Sequence, residues 1–122
     1  GGAAKGIVLL SDKTIISDGV GGASGNYNSS TYTWQTSTFA TPPTVSSGTD
    51  YLLAMVVNAT TAVRYAYDTS GSLLSKLDVT NSYATPQNLG STTDGYFINS
   101  IYATYTAGGP LVTGPMVSSL NI

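Results

Sequence analysis

The stretch DYLLAMVVNATTAVRYAYD, Asp50 to Asp68, begins with an unbroken apolar run from Tyr51 to Val57. Side chains alternate across a strand, so Tyr51, Leu53, Met55 and Val57 share one face and Leu52, Ala54 and Val56 the other. A strand apolar on both faces must be covered on both. A buried helix could hold the same run. However, Ser46-Ser47-Gly48-Thr49 before it and Asn58-Ala59-Thr60-Thr61 after it are turn chemistry, which favours a short central strand. The second half alternates more cleanly, with Val63, Tyr65 and Tyr67 against Arg64, Ala66 and Asp68. Together the halves predict a hairpin at the centre of an all-β domain.

The flanks extend this pattern. Lys5–Leu10 and Thr14–Ser17 are β-rich runs separated by Ser11-Asp12-Lys13, the spacing of a tight hairpin. Asp18 to Ser30, DGVGGASGNYNSS, reads as an exposed, functional loop because of its Gly, Ser and Asn content. Tyr32–Phe39 follows as a strand, with Tyr32 and Trp34 on one face, and Pro42-Pro43 ends it. After the central hairpin, Leu73–Val79 fits a short strand or a helical turn equally well. Asn81–Thr93 is a loop, in which Pro86 biases Thr85 to extended geometry. Asp94-Gly95 is a turn. Tyr96–Thr106 is a second long strand, with Tyr96, Ile98, Tyr102 and Thr104 opposite Phe97, Ile101, Ala103 and Tyr105. Seven or eight short strands punctuated by turns imply an antiparallel β-sandwich over residues 1–106. The remainder, 107–122, is an apolar tail. Its Leu111, Val112, Met116, Val117, Leu120 and Ile122 are expected to dock on this domain or on a neighbouring chain.

Composition narrows the function. The 122 residues suit one domain, and 41% are hydrophobic, but only 8% are charged, against a usual ~25%. The surface is therefore rich in hydroxyls and amides. That suits extracellular, virion or filament proteins better than a merely neutral domain. Net charge is −2 with four basic residues, Lys5, Lys13, Arg64 and Lys76. This offers no footprint for a phosphate backbone, and nucleic acid is excluded as a partner. Without cysteine there is neither disulfide nor thiolate chemistry, and the redox compartment stays open. No stretch approaches the ~18 apolar residues of a membrane span. The chain opens on Gly1-Gly2 rather than Met, as expected of a processed product, an excised domain or a piece carrying a linker.

Catalysis fares badly. His, Cys and Glu are all absent, which removes the usual general base, thiol nucleophile and one of the two carboxylic acids. Two aspartates could in principle hydrolyse a glycoside. The six present are Asp12, Asp18, Asp50, Asp68, Asp78 and Asp94, and Asp12, Asp18 and Asp94 lie in turn contexts where Asp bonds its own backbone. A non-enzyme with no cofactor is expected. Asp18-Gly19 and Asp94-Gly95 match neither an EF-hand loop nor a calcium repeat, so no metal site is expected. Gly19-x-Gly21-Gly22 has no following Lys-Ser/Thr and is no phosphate cradle. Asn28-Ser29-Ser30 and Asn58-Ala59-Thr60 fit the glycosylation pattern, which matters only in a host with the machinery. Sugar binding is the best site expectation. Tyr27, Tyr32, Trp34, Tyr65 and Tyr67 would stack on sugar rings, with Asn26, Asn28, Arg64 and Asp68 as polar partners. Tyrosines in alternating strands are also ordinary core residues, and core packing is the preferred role for Trp34.

One ordered series of pieces is similar to a known architecture. It runs through Ala4-Lys5-Gly6-Ile7, Ile15-Ile16, Phe39 and Pro43. It continues through Ser46-Ser47-Gly48-Thr49-Asp50-Tyr51-Leu52-Leu53-Ala54, Val63-Arg64-Tyr65, Asn81-Ser82-Tyr83-Ala84-Thr85-Pro86 and Ser100-Ile101-Tyr102-Ala103-Thr104-Tyr105-Thr106. The series, over about residues 4–106, resembles the jelly-roll β-sandwich modules of phage virion proteins, environmental surface proteins and the carbohydrate-binding appendages of enzymes. Such modules carry one or two strands ahead of the one starting at Lys5, which this chain lacks, and they end before its tail. The resemblance implies a non-catalytic structural, decoration or attachment module at a virion or extracellular surface. Its partners would be copies of itself or other surface proteins, or else glycans. A carbohydrate-binding module and a donor-strand filament subunit are the alternatives.

Overall fold

The computed structural model describes residues 2–26, 30–59, 67–69, 75–77, 81–106 and 119–121. Within them the chain is all-β and antiparallel, with no helix. Three long strands form one sheet: β1 (Gly2–Leu10), β2 (Ile15–Ala23) and β3 (Tyr51–Ala59), in the order β2-β1-β3. Six strands of three residues each pair two by two. They are β4 (Tyr67–Thr69) with β7 (Phe97–Asn99), β5 (Ser75–Leu77) with β6 (Thr93–Gly95), and β8 (Tyr102–Thr104) with β9 (Ser119–Asn121).

The β1–β2 hairpin forms at the expected place. Its three-residue loop combines a turn, Lys13 N donating to Leu10 O, with Lys13 in the left-handed region at φ 75°. That is the usual build of a three-residue hairpin. Asp12 Oδ1 accepts from the Thr14 amide at 3.0 Å and steadies it.

The middle of the sheet is not where the sequence puts it. Tyr51–Val57 was expected to be the central, doubly covered strand, but among the described residues β3 lies at the edge and pairs with β1. Its side chains are half-buried or exposed, Met55 being 43% exposed. The covered strand is β1, where Ile7, Val8 and Leu9 are buried in succession. Successive residues point to opposite faces, so burial of all three requires cover on both. Such burial stabilises by about 1.5–3 kcal/mol per large side chain.

The Gly-rich stretch after Ser17 is also not a loop in its first half, because β2 runs through Ala23. Close approach explains the glycines. A Cβ on Gly19 would lie 2.7 Å from both Val8 O and Ile16 O, and one on Gly21 would collide with Ser37 Oγ. Two irregularities bend β2, where a step from Ile7 to Leu9 on β1 is matched by Val20 to Ile15 on β2. Asp18, at φ 58°, sits in that bulge.

Tyr32–Phe39 is not a strand; it is an irregular segment held on the sheet by side chains. Ser37 Oγ accepts from Gly6 N at 2.9 Å and donates to Gly22 O at 2.6 Å, bridging β1 and β2 at the bulge. Gly22 N donates to Thr38 O at 2.9 Å. The loop from Asn81 is as expected and is closed by its first residue. Asn81 Oδ1 accepts from the Ser82 and Gln87 amides, and Asn81 Nδ2 donates to Gln87 O. The segment then straps the hairpin. Lys5 Nζ donates to Tyr83 O and lies 4.6 Å from that ring's centre, Lys13 Nζ donates to Gly90 O, and Ile15 N donates to Asn88 Oδ1.

Residues 60–66 of the central hairpin lie outside the described residues, and Tyr67–Thr69 pairs with β7. Two further expectations change. Asp94-Gly95 belongs to β6 instead of forming a turn. The long strand Tyr96–Thr106 is broken at Ser100-Ile101 into β7 and β8. The ambiguous piece after Leu73 contains a strand, Ser75–Leu77. Of the tail, Ser119–Asn121 pairs with β8, so Leu120 stands opposite Ala103. Leu111, Val112, Met116, Val117 and Ile122 lie outside the described residues.

Candidate functional site

The side chains that stand out from this sheet are aromatic. Trp34 and Tyr32 are each 67% exposed, Tyr96, Tyr102 and Tyr105 are exposed as well, and core packing for Trp34 is thereby overturned. The local cause is Ser37. Its hydroxyl fastens the 30–46 segment to β1 and β2 from below, and the residues ahead of it, 30–36, remain exposed.

Trp34 does not stand alone. Its ring meets Tyr102 with centroids 5.2 Å apart and planes at 76°, the edge-to-face arrangement that aromatic quadrupoles favour. Tyr102 is presented by β8, where it opposes Asn121 of β9. The neighbours alternate as a half-covered strand should, with Ile101 and Ala103 half-buried and Tyr102 and Thr104 exposed. Beside Trp34, Gln35 Nε2 donates to Thr33 Oγ1 at 2.9 Å, linking the two polar side chains that flank the indole. The result is an open corner with two aromatic walls at nearly a right angle and a neutral polar border.

Of the residues expected to form a site, the structure places Tyr32 and Trp34 on the surface within one segment. Asn26 is exposed. Tyr67 and Asp68 lie in β4, their backbones opposite Asn99 and Ile98. Tyr27, Asn28, Arg64 and Tyr65 lie outside the described residues. Sequence reasoning missed Tyr102. Its period-2 alternation was visible, but nothing local showed that its face would be the open one.

The two segments that build the corner carry no charged side chain. Neither 19–49 nor 95–122 contains Asp, Glu, Lys or Arg. Among the described residues one carboxyl, in the β1–β2 loop, is held below its ordinary pKa. Asp12 is shifted down by the bonds it accepts from Thr14, chiefly that from the backbone amide. Among the described residues no three His, Cys, Asp or Glu side chains gather into a metal site. Likewise no described helix is long and apolar enough to cross a membrane. What the arrangement offers chemically is stacking area with hydrogen-bonding groups beside it. Comparison with family models, curated proteins and solved structures returned no match.

Proposed function

We propose that the chain is a non-catalytic attachment module of a virion or extracellular assembly, a jelly-roll-like β-sandwich that holds to its partner by an aromatic surface. The observation that carries this reading is the exposed Trp34–Tyr102 pair on a charge-poor domain. Exposed aromatic groups that are not needed in the core are the side chains most often found to anchor contacts. The lack of His, Cys and Glu supports a role without turnover. The low charge supports a place outside the cell and the scarcity of basic residues a role without nucleic-acid partners.

The test presents labelled full chain to intact bacterial and yeast cells and follows its self-association by sedimentation velocity. The double variant Trp34→Ser/Tyr102→Ser is expected to lose cell adhesion or self-association while its far-UV circular dichroism is kept. A wild-type chain that does neither, or a double variant unchanged in both, contradicts the reading.

A second reading, a subunit that shares strands with its neighbours, is favoured by β3. This edge strand is nine residues long, carries neither charge nor proline, and has β1 as its one strand partner among the described residues. Natural edges usually carry such protection, and one without it tends to pair with another chain. The part of the Leu111–Ile122 tail ahead of β9, residues 111–118, would then be the donated segment or the cover for the edge. Truncation after Gly109 should abolish assembly on this reading, whereas a monomer at micromolar concentration counts against it.

A further inference from the structure

Two features of the Trp34–Tyr102 corner narrow the class of partner it can take. The first is charge. Both segments that build it are free of ionisable acids and bases over long runs, 19–49 and 95–122. Neither segment therefore offers an anionic ligand a cation. A quaternary ammonium could use the rings alone, but at exposed sites cation–π attraction is worth only about 0.5–1 kcal/mol. The second feature is the border. Thr33, Gln35 and Thr36 beside Trp34, and Ser100 and Thr104 beside Tyr102, are all exposed hydroxyl or amide side chains. An apolar peptide would bury aliphatic surface, whereas this border is matched by a ligand that presents hydroxyls next to an apolar face.

We infer that the Trp34–Tyr102 corner binds a neutral polysaccharide. One aromatic face stacks on the C–H face of a sugar ring, the second ring closes the side, and the flanking hydroxyl and amide groups meet the sugar hydroxyls. The inference rests on the attachment reading and names its partner. The edge-to-face contact and the Gln35–Thr33 hydrogen bond hold the walls and border in place before the ligand arrives, which lowers the ordering cost of binding.

Trp34 is the single tryptophan of the chain, so emission excited beyond the tyrosine absorption band reports on this site and no other. The full chain is titrated with laminarin, xyloglucan, galactomannan, mannan, soluble starch and dextran, with alginate and choline as charged controls. Binding is measured in parallel by retardation in native gels containing each polymer. The expected result is a saturable blue shift with at least one neutral polymer and none with the controls. Trp34→Ala should weaken retardation by at least about tenfold and Tyr102→Ala by a few fold, with circular dichroism unchanged. No shift or retardation by any neutral polymer overturns the inference, as does retention of full affinity in Trp34→Ala or a response to choline or alginate alone. Should the polymers fail while the double variant still alters self-association, the sugar is wrong and attachment stands.

Discussion

Ser37 does with one hydroxyl what paired backbone groups do elsewhere between β1 and β2. It takes the Gly6 amide and gives its own proton to the Gly22 carbonyl, so the bulge keeps its hydrogen bonds while the segment carrying Trp34 is fastened down. Ser37→Ala would leave both backbone groups without that partner, and urea unfolding is expected to show a loss of about 1–3 kcal/mol. An unchanged midpoint would mean that water replaces the hydroxyl at no cost. Leu9 is the most fully buried large side chain among the described residues. Leu9→Ala should lower stability by about 2–5 kcal/mol, the range for emptying a filled core position. Asp12 gives the sheet a pH response of definite sign. Its folded pKa lies below the ordinary one, so its contribution is present above that value and fades as pH falls through the lower folded one. The protection of the Thr14 amide against hydrogen exchange, taken relative to the intrinsic rate at each pH, should therefore fall in acid, and Asp12→Asn should flatten that dependence.

At the scale of elements, local chemistry predicted well wherever the sequence itself closes a contact. The β1–β2 loop formed as expected because three residues suffice to make a turn and its left-handed step. The Asn81 loop is similarly self-contained, and Asn81→Ala should speed hydrogen exchange at Ser82 and Gln87 through loss of the carboxamide that accepts from both. Long-range contacts were not legible. The run Tyr51–Val57 is apolar on both faces, which suggested the centre, but sheet order is decided by which strand finds partners on both sides. The glycines at 19, 21 and 22 read as a loop because glycine is rare in strands. In the structure they are small because Val8 O, Ser37 and Thr38 crowd against them. For the site, exposure of Trp34 follows from the Ser37 bridge, a contact between residues 37, 6 and 22 that no window of sequence contains. Tyr102 was visible in the alternation of its strand, and its partner was not.

At the scale of the molecule, two surfaces offer contacts to other molecules: the β3 edge and the aromatic corner. Met55 is the most exposed large side chain of β3, so Met55→Lys should change stability by less than about 1 kcal/mol. If β3 pairs with other chains, the added charge should also shift sedimentation toward monomer, in the way natural edges are protected. The corner is built by residues outside β3, and its variants should leave strand-mediated assembly untouched. Everything said of attachment depends on the indole of Trp34 standing in solvent in the folded protein. Tryptophan emission of the native full chain, with acrylamide quenching, measures this directly. Red-shifted emission is expected, with quenching close to that of the urea-unfolded chain. Blue-shifted emission shielded from acrylamide, in a chain without ligand, would return Trp34 to a core and remove the basis for attachment.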